Sequence, residues 1–271
     1  MDATLHTDAG RHVLRFERAL RHPPEKVWRA ITEPEHLDHW FPAALHDKRG
    51  VGERITFRFP DGTDGGTGTI TDLDPPRRFA FTWQGETLRF DLRPTDTGCL
   101  LVFTHHFDDH AGAASFAAGW QICLGALDDL LDGTPPTDHD WVAAHEHYVD
   151  RFDLLRGTTH PDGDTWRVQF ERQLPTPADD VRPHLPTLIG AEPTAETDTR
   201  YDADLGTGQT VRVELRPGPG GARLTLTHRG LTDTDLDAAH TCWRTAIQTL
   251  ATTLTGHPHQ TEHPVAHHPM T

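Results

Sequence analysis

Apolar and polar residues alternate through much of the N-terminal half of the chain. Residues 12–20 (HVLRFERAL) alternate partially and residues 54–59 (RITFRF) cleanly, and strand-like runs follow at 67–73, 78–83, 87–92 and 99–106. Period-two runs predict strands, because successive side chains on a strand face opposite sides of the sheet. The links Asp74-Pro75-Pro76, Gln84-Gly85-Glu86 and Thr95-Asp96-Thr97-Gly98 are short and turn-forming, so the strands read as an antiparallel meander. The period changes to 3.6 in two places. Pro23-Pro24 opens a segment in which Val27, Trp28 and Ile31 share a helical face, and Pro34 starts a further turn carrying Leu37, Trp40 and Phe41. Residues 112–132 place Phe116, Trp120, Cys123, Leu124, Leu127 and Leu131 on one stripe, with Gly133 positioned to end the helix.

The second half follows a similar pattern in shorter form. Residues 140–154 read as a helix bearing Trp141, His145, Tyr148 and Phe152. A strand at 166–170 follows, and then a helix start at Thr176-Pro177, with Thr176 as the expected cap. Strands at 201–205, 209–216 and 222–228 lead to a helix over 232–255. This half is a shortened copy of the first. Leu88-Arg89-Phe90-Asp91-Leu92-Arg93-Pro94 matches Val211-Arg212-Val213-Glu214-Leu215-Arg216-Pro217, His105 matches His228, Trp120 matches Trp243 and Gly133 matches Gly256, all at one offset (256 − 133 = 123). Near the front, Phe16-Glu17-Arg18 matches Phe170-Glu171-Arg172 at a larger offset (170 − 16 = 154). The second copy therefore lacks 31 residues (154 − 123), in the region that carries Trp40, Phe41, Phe57 and Phe59. The clean alternation of residues 223–228 turns Leu224, Leu226 and His228 inward, and the offset carries that assignment to Leu101, Phe103 and His105. The expected organisation is a complete domain at 1–133, a helical linker at 134–163, a shortened repeat at 164–256 and a disordered His-rich tail at 257–271.

The segment LRFERALRHPPEKVWRAITEPEHLDHWF (residues 14–41) resembles START-like proteins, the superfamily named for START, RHO alpha C, PITP and Bet v 1 domains. Within it the resemblance is to the branch named after the activator of Hsp90 ATPase. It rests also on Gly119-Trp120 to Gly133 and on the run from Trp141 to Phe152, and it covers residues 10–155. The resemblance implies an α+β helix-grip fold, in which a curved antiparallel sheet wraps a long C-terminal helix and leaves a cavity for apolar or aromatic molecules. The second copy lacks the Val-Trp pair and any equivalent of Trp40-Phe41.

Composition removes several classes of function. The net charge is −16 with only two lysines, which disfavours nucleic-acid backbones and anionic membrane surfaces. No apolar run approaches a membrane span, and nothing at the start reads as a signal peptide. Three cysteines (99, 123 and 242) without CxxC spacing fit a reducing cytoplasm, and Cys123 and Cys242 read as buried apolar residues. The histidines show no zinc spacing, and the single serine, Ser115, lacks a nucleophile-elbow context, so no metal, cofactor or serine chemistry is expected.

Given the resemblance, the first copy supplies the candidate ligand site. Its lining would come from Trp28, Trp40 and Phe41 of the helical segments. Phe57, Phe59, Phe81, Phe90 and Phe103 would come from the strands, and Phe116, Trp120 and Leu124 from the long helix. His105 is the one acid/base candidate, although its recurrence as His228 points to a structural hydrogen bond. Asp91 is expected to face solvent, and Glu17 to pair with Arg18 or Arg89 outside the sheet. The leading expectation is non-catalytic binding of a small hydrophobic or aromatic molecule. A polyketide cyclase or hydratase using His105 is one alternative. The other is an Hsp90-activator-like interaction module, with a chaperone or a second copy as partner.

Overall fold

The period-two runs of the first half pair into one antiparallel sheet in the computed structural model, which describes residues 2–46 and 50–256. In chain order its strands are β1 (Thr4–Asp8), β2 (Arg11–Leu20), β3 (Ala44–His46), β4 (Arg54–Arg58), β5 (Asp64–Asp74), β6 (Arg78–Trp83), β7 (Glu86–Thr95) and β8 (Gly98–Phe107). They lie side by side as β1-β2-β8-β7-β6-β5-β4-β3. Helices α1 (Pro24–Thr32) and α2 (Pro34–Leu37) interrupt the chain after β2, and α3 (Ala113–Asp132) follows the last strand. Prolines occupy the first turns of α1 and α2, where their missing N–H costs nothing. Gly133 ends α3 in the left-handed conformation, at φ 68°. Helix α3 buries Trp120, Cys123, Leu124, Leu127 and Leu131 of the expected stripe and leaves Phe116 half-buried.

Chain contacts divide the molecule at Trp141/Val142 into two units. The second contains most of α4 (Trp141–Arg151), then β9 (Thr158–Asp162), β10 (Thr165–Leu174), α5 (Ala178–Val181), α6 (Leu185–Ile189), β11 (Pro193–Thr197), β12 (Arg200–Gly206), β13 (Gln209–Gly218), β14 (Gly221–Leu231) and α7 (Leu236–Thr255). Its sheet order, β11-β12-β13-β14-β10-β9, is the first sheet's order read from the other edge, without counterparts of β3 and β4. Element bounds coincide at the sequence offsets. β7 and β13 start at Glu86 and Gln209 (209 − 86 = 123), and α3 and α7 run from 113 and 236 to 132 and 255. β2 and β10 start at Arg11 and Thr165 (165 − 11 = 154). The fold is thus α+β and helix-grip, with the second sheet and helix as the tandem copy.

One close approach recurs. Gly98 and Gly221 open β8 and β14 at φ 154° and 152°. A Cβ at Gly98 would lie 2.0 Å from the Leu20 carbonyl oxygen, and one at Gly221 would lie 2.4 Å from that of Leu174. These partners are equivalent at the front offset (174 − 20 = 154). Both glycines therefore let the strand start against the end of its neighbour.

Several local expectations are corrected. β1, β3, β9 and β11 carry no strand signal in the sequence. β1, β9 and β11 are short edges whose residues are mostly exposed, so no face needs to be apolar. Thr176 does not cap α5; Pro177 holds that position, while Thr176 is buried and its hydroxyl has no partner among the described residues. Cys123 is buried but Cys242 is exposed, because it falls off the inward stripe of Ala239, Trp243 and Ile247. Glu17 pairs with Arg15, two residues along the same face of β2, and not with Arg18 or Arg89. Asp91 is largely covered, held between Arg78 at 2.9 Å and Arg89 at 2.7 Å. The expected tail, 257–271, lies outside the described residues.

Candidate functional site

The aromatic interior of the first unit is assembled from its inward strand positions. Phe81 on β6, Phe90 on β7 and Phe103 on β8 all face α3, and all three are fully buried. Phe90 and Phe103 sit 4.7 Å apart between ring centres, and Phe103 meets Trp120 of α3 at 4.6 Å. Phe57 of β4 stacks on Trp83 at 4.4 Å, with 14° between planes. Phe41, just beyond α2, lies 5.7 Å from both Trp83 and Trp120 and 5.5 Å from Trp40. Phe59 closes against Trp83 at 6.1 Å.

The structure therefore joins Trp40, Phe41, Phe57, Phe59, Phe81, Phe90, Phe103 and Trp120 into one continuous cluster, with Leu124 buried on the same helix face. Trp28 and Phe116 lie at its margins and are half-buried. Trp28 touches Phe79 edge-on at 6.4 Å, and Phe116 meets His105 at 5.3 Å and Phe107 at 5.0 Å. Members of the cluster that are not among the lining residues selected from the sequence include Trp83 and Phe107, and also Phe16, 6.2 Å from Phe103, and Phe79, 5.0 Å from Phe81. The alternation that selects Phe81 also selects Trp83, and that of Phe103 and His105 selects Phe107. The three enclosed indoles are all hydrogen-bonded. Trp40 donates to the Ala30 carbonyl at 2.9 Å, Trp83 to the Gly65 carbonyl at 2.7 Å and Trp120 to His105 Nδ1 at 3.1 Å.

That last bond defines the state of His105. An indole N–H only donates, so Nδ1 must accept and the ring proton sits on Nε2. Nε2 lies 2.6 Å from Glu86 Oε2 and donates to it. Both ring nitrogens are engaged, and neither is left to move a substrate proton. The second unit repeats the arrangement at the same offset. Trp243 donates to His228 Nδ1 at 3.0 Å, and His228 Nε2 lies 3.2 Å from Gln209 Oε1. In each unit a Trp–His bond ties the long helix to the sheet.

The second unit holds a different polar cluster. Arg172, fully buried on β10, reaches both carboxylate oxygens of Glu146 on α4, at 2.7 and 2.5 Å. Its Nε and Nη1 have no partner among the described residues. His145 Nδ1 lies 3.2 Å from Glu146 Oε1. Burial pushes the His145 pKa down; burial also works to raise that of Glu146, but His145 and Arg172 outweigh it and hold the carboxyl below its usual range. An open groove of about 810 Å³ runs between α4 and α7, bounded by Asp150, Asp153, Arg244 and a row of threonines. Those threonines donate their hydroxyls back into the helix, as Thr245 does to Thr241 and Thr249 to Thr245. Among the described residues no group of three or more His, Cys, Asp or Glu is placed to hold a metal, and no helix is long and apolar enough to cross a membrane.

Residues 21–132 match the family model described as activator of Hsp90 ATPase homolog 1-like protein. No curated protein matches the chain. Among solved structures, a conserved protein of unknown function from Enterococcus faecalis is 25% identical with a TM-score of 0.50, the match covering 56% of this chain and 90% of that one. A protein from Mesorhizobium loti is 28% identical at a TM-score of 0.40, covering 45% and 98%. One from Bordetella parapertussis is 24% identical at 0.45, covering 54% and 88%. Residues 21–132 of the first unit are thus similar to the activator of Hsp90 ATPase homolog 1-like family.

Proposed function

We propose that the first unit is a non-catalytic binding module for a small aromatic or apolar molecule, held between its sheet and α3. The observation that carries this reading is the uneven use of aromatic rings by two units with the same element order. At equivalent positions Phe90 stands against Val213, Phe103 against Leu226, Phe107 against Gly230 and Phe116 against Ala239 (each 123 apart). Val213, Leu226 and Ala239 are buried, so sheet and helix close without rings there. The fold does not require the aromatic cluster of the first unit, and stacking on a planar guest is what such a cluster supplies beyond aliphatic packing. The segment bearing Trp40, Phe41 and Phe57, which the second unit lacks, would be the wall that yields to admit the guest. Because both nitrogens of His105 are engaged, the histidine favours holding over turnover.

A thermal-shift screen of the full chain against aromatic metabolites tests the proposal. A ligand at a hundredfold excess over its Kd stabilises the folded protein by about 2.7 kcal/mol, a readily measured shift. Failure of every aromatic and apolar compound to shift the transition would end the reading. The family match favours one further reading, an interaction module for a chaperone of the Hsp90 type. Capture of purified Hsp90 by the immobilised chain would support it, and absence of capture would count against it.

A further inference from the structure

We propose that Glu86 is the polar anchor of the aromatic site. Its second carboxylate oxygen selects planar guests that carry a hydrogen-bond donor on the ring edge, such as a phenolic hydroxyl, and turns away guests that carry a carboxylate there. The inference rests on the binding role proposed for the first unit and names the class of molecule taken.

Glu86 opens β7 directly across from Trp83 at the end of β6, so both side chains lie on the inward face of the sheet. Its Oε2 lies 2.6 Å from His105 Nε2. His105 is ringed by Phe107, Phe116 and Trp120, at 5.0, 5.3 and 5.9 Å between ring centres. The Glu86 side chain is 14% exposed, so the carboxylate stands where the ring cluster meets solvent. Its Oε1 has no hydrogen-bond partner among the described residues. The other polar atoms along the rings are occupied. Trp40 and Trp83 donate to carbonyls, Trp120 donates to His105, and His105 spends its second nitrogen on Oε2. Arg11, which reaches the adjoining turn, is bonded to the Gly85 carbonyl and to Asp108.

A carboxylate is not needed to hold the histidine. At the same offset (209 − 86 = 123) the second unit places Gln209, whose Oε1 lies 3.2 Å from His228 Nε2 while Trp243 donates to Nδ1 at 3.0 Å. A neutral amide oxygen therefore completes the Trp–His tie, and the carboxylate adds a second acceptor oxygen. The residue across the strand pair changes with it: Trp83 faces Glu86, whereas Gly206 faces Gln209 (206 − 83 = 123). Ring and carboxylate are present together in one unit and absent together from the other, which ties the anchor to the ring cluster rather than to the fold.

An ionised carboxylate only accepts hydrogen bonds, so the guest must donate. A ring laid against Trp83 or Trp120 would bring an edge hydroxyl to Oε1, and a bond to a charged acceptor is stronger than one between neutral groups. A guest carboxylate would meet Oε1 oxygen to oxygen, with every indole N–H of the enclosed rings already given.

Calorimetric titration of the full chain at neutral pH with naphthalene, naphthol and naphthoate, repeated on Glu86→Gln, tests the assignment. Naphthol should bind at least about tenfold more tightly than naphthalene, and naphthoate more weakly than either. Glu86→Gln installs the second unit's own residue, which keeps an acceptor for His105 and replaces Oε1 with an N–H donor. It should remove the preference for naphthol, leave naphthalene unchanged and strengthen naphthoate. An equal loss of all three ligands in the variant would assign Glu86 to the fold alone and overturn the proposal. If naphthalene binds and naphthol gains nothing over it, or the preference survives Glu86→Gln, the anchor is refuted while the aromatic site stands. If none of the three binds the unmodified chain, site and anchor fall together. If Glu86→Gln does not fold, the ligand series on the unmodified chain decides alone.

Discussion

Trp243 and His228 are single side chains on different elements, and each satisfies a group that the other leaves buried. Trp243→Phe keeps the ring and removes the N–H, so Nδ1 of His228 loses its donor in a closed interior. The expected cost is about 1–3 kcal/mol, read by chemical denaturation. Arg172 presents a larger liability. Glu146→Ala would leave a buried guanidinium without its carboxylate, and about 3 kcal/mol of stability should be lost, whereas the double change Glu146→Ala with Arg172→Leu should lose less. A double change as costly as the single one would show that the pair is not the source. Residue-scale partnerships like these are only partly legible in the chain. Recurrence of His105 as His228 marks a structural role, but nothing in the sequence places Glu146 over Arg172, because their meeting depends on where α4 docks. Likewise, adjacency in the chain suggests Arg18 as the partner of Glu17, although two residues along a strand share a face and adjacent ones do not.

At the scale of elements, the turn into β8 and β14 is the sharpest constraint. Gly98→Ala or Gly221→Ala would drive a methyl into a carbonyl oxygen at 2.0 or 2.4 Å in a conformation that side chains rarely adopt. Each should destabilise its own unit by about 2 kcal/mol or more, measured by chemical denaturation. Gly133→Ala, left-handed but with nothing within 4 Å, should cost about 1 kcal/mol, so the comparison separates collision from backbone preference. Elements with a buried face are legible from the chain alone: β7, β8 and α3 recur as β13, β14 and α7 at one offset. Edge strands are not, since β1, β9 and β11 bury little and carry no alternation to read. The aromatic cluster is legible as a set of inward positions, but its close stacking, with Phe57 on Trp83, is not, because two rings on different strands meet only once the register is known.

At the scale of the whole molecule, two units share an order of elements and differ in what fills them. The first is lined with a continuous cluster of rings; the core of the second holds fewer, Phe170, Tyr201 and Trp243, among mainly aliphatic residues, and the second carries the Arg172–Glu146 pair. The central claim is that the rings serve a guest and not the fold. It is tested most directly by nuclear magnetic resonance titration of the full chain with a planar aromatic such as naphthol, before and after Phe90→Val and Phe103→Leu, which install the second unit's own residues. The account predicts shifts centred on Phe41, Trp83, Phe103 and Trp120, and an affinity at least tenfold weaker in a still-folded double variant, equivalent to about 1.4 kcal/mol. No shifts at saturating aromatic, shifts confined to the groove between α4 and α7, or unchanged affinity in the variant would contradict it.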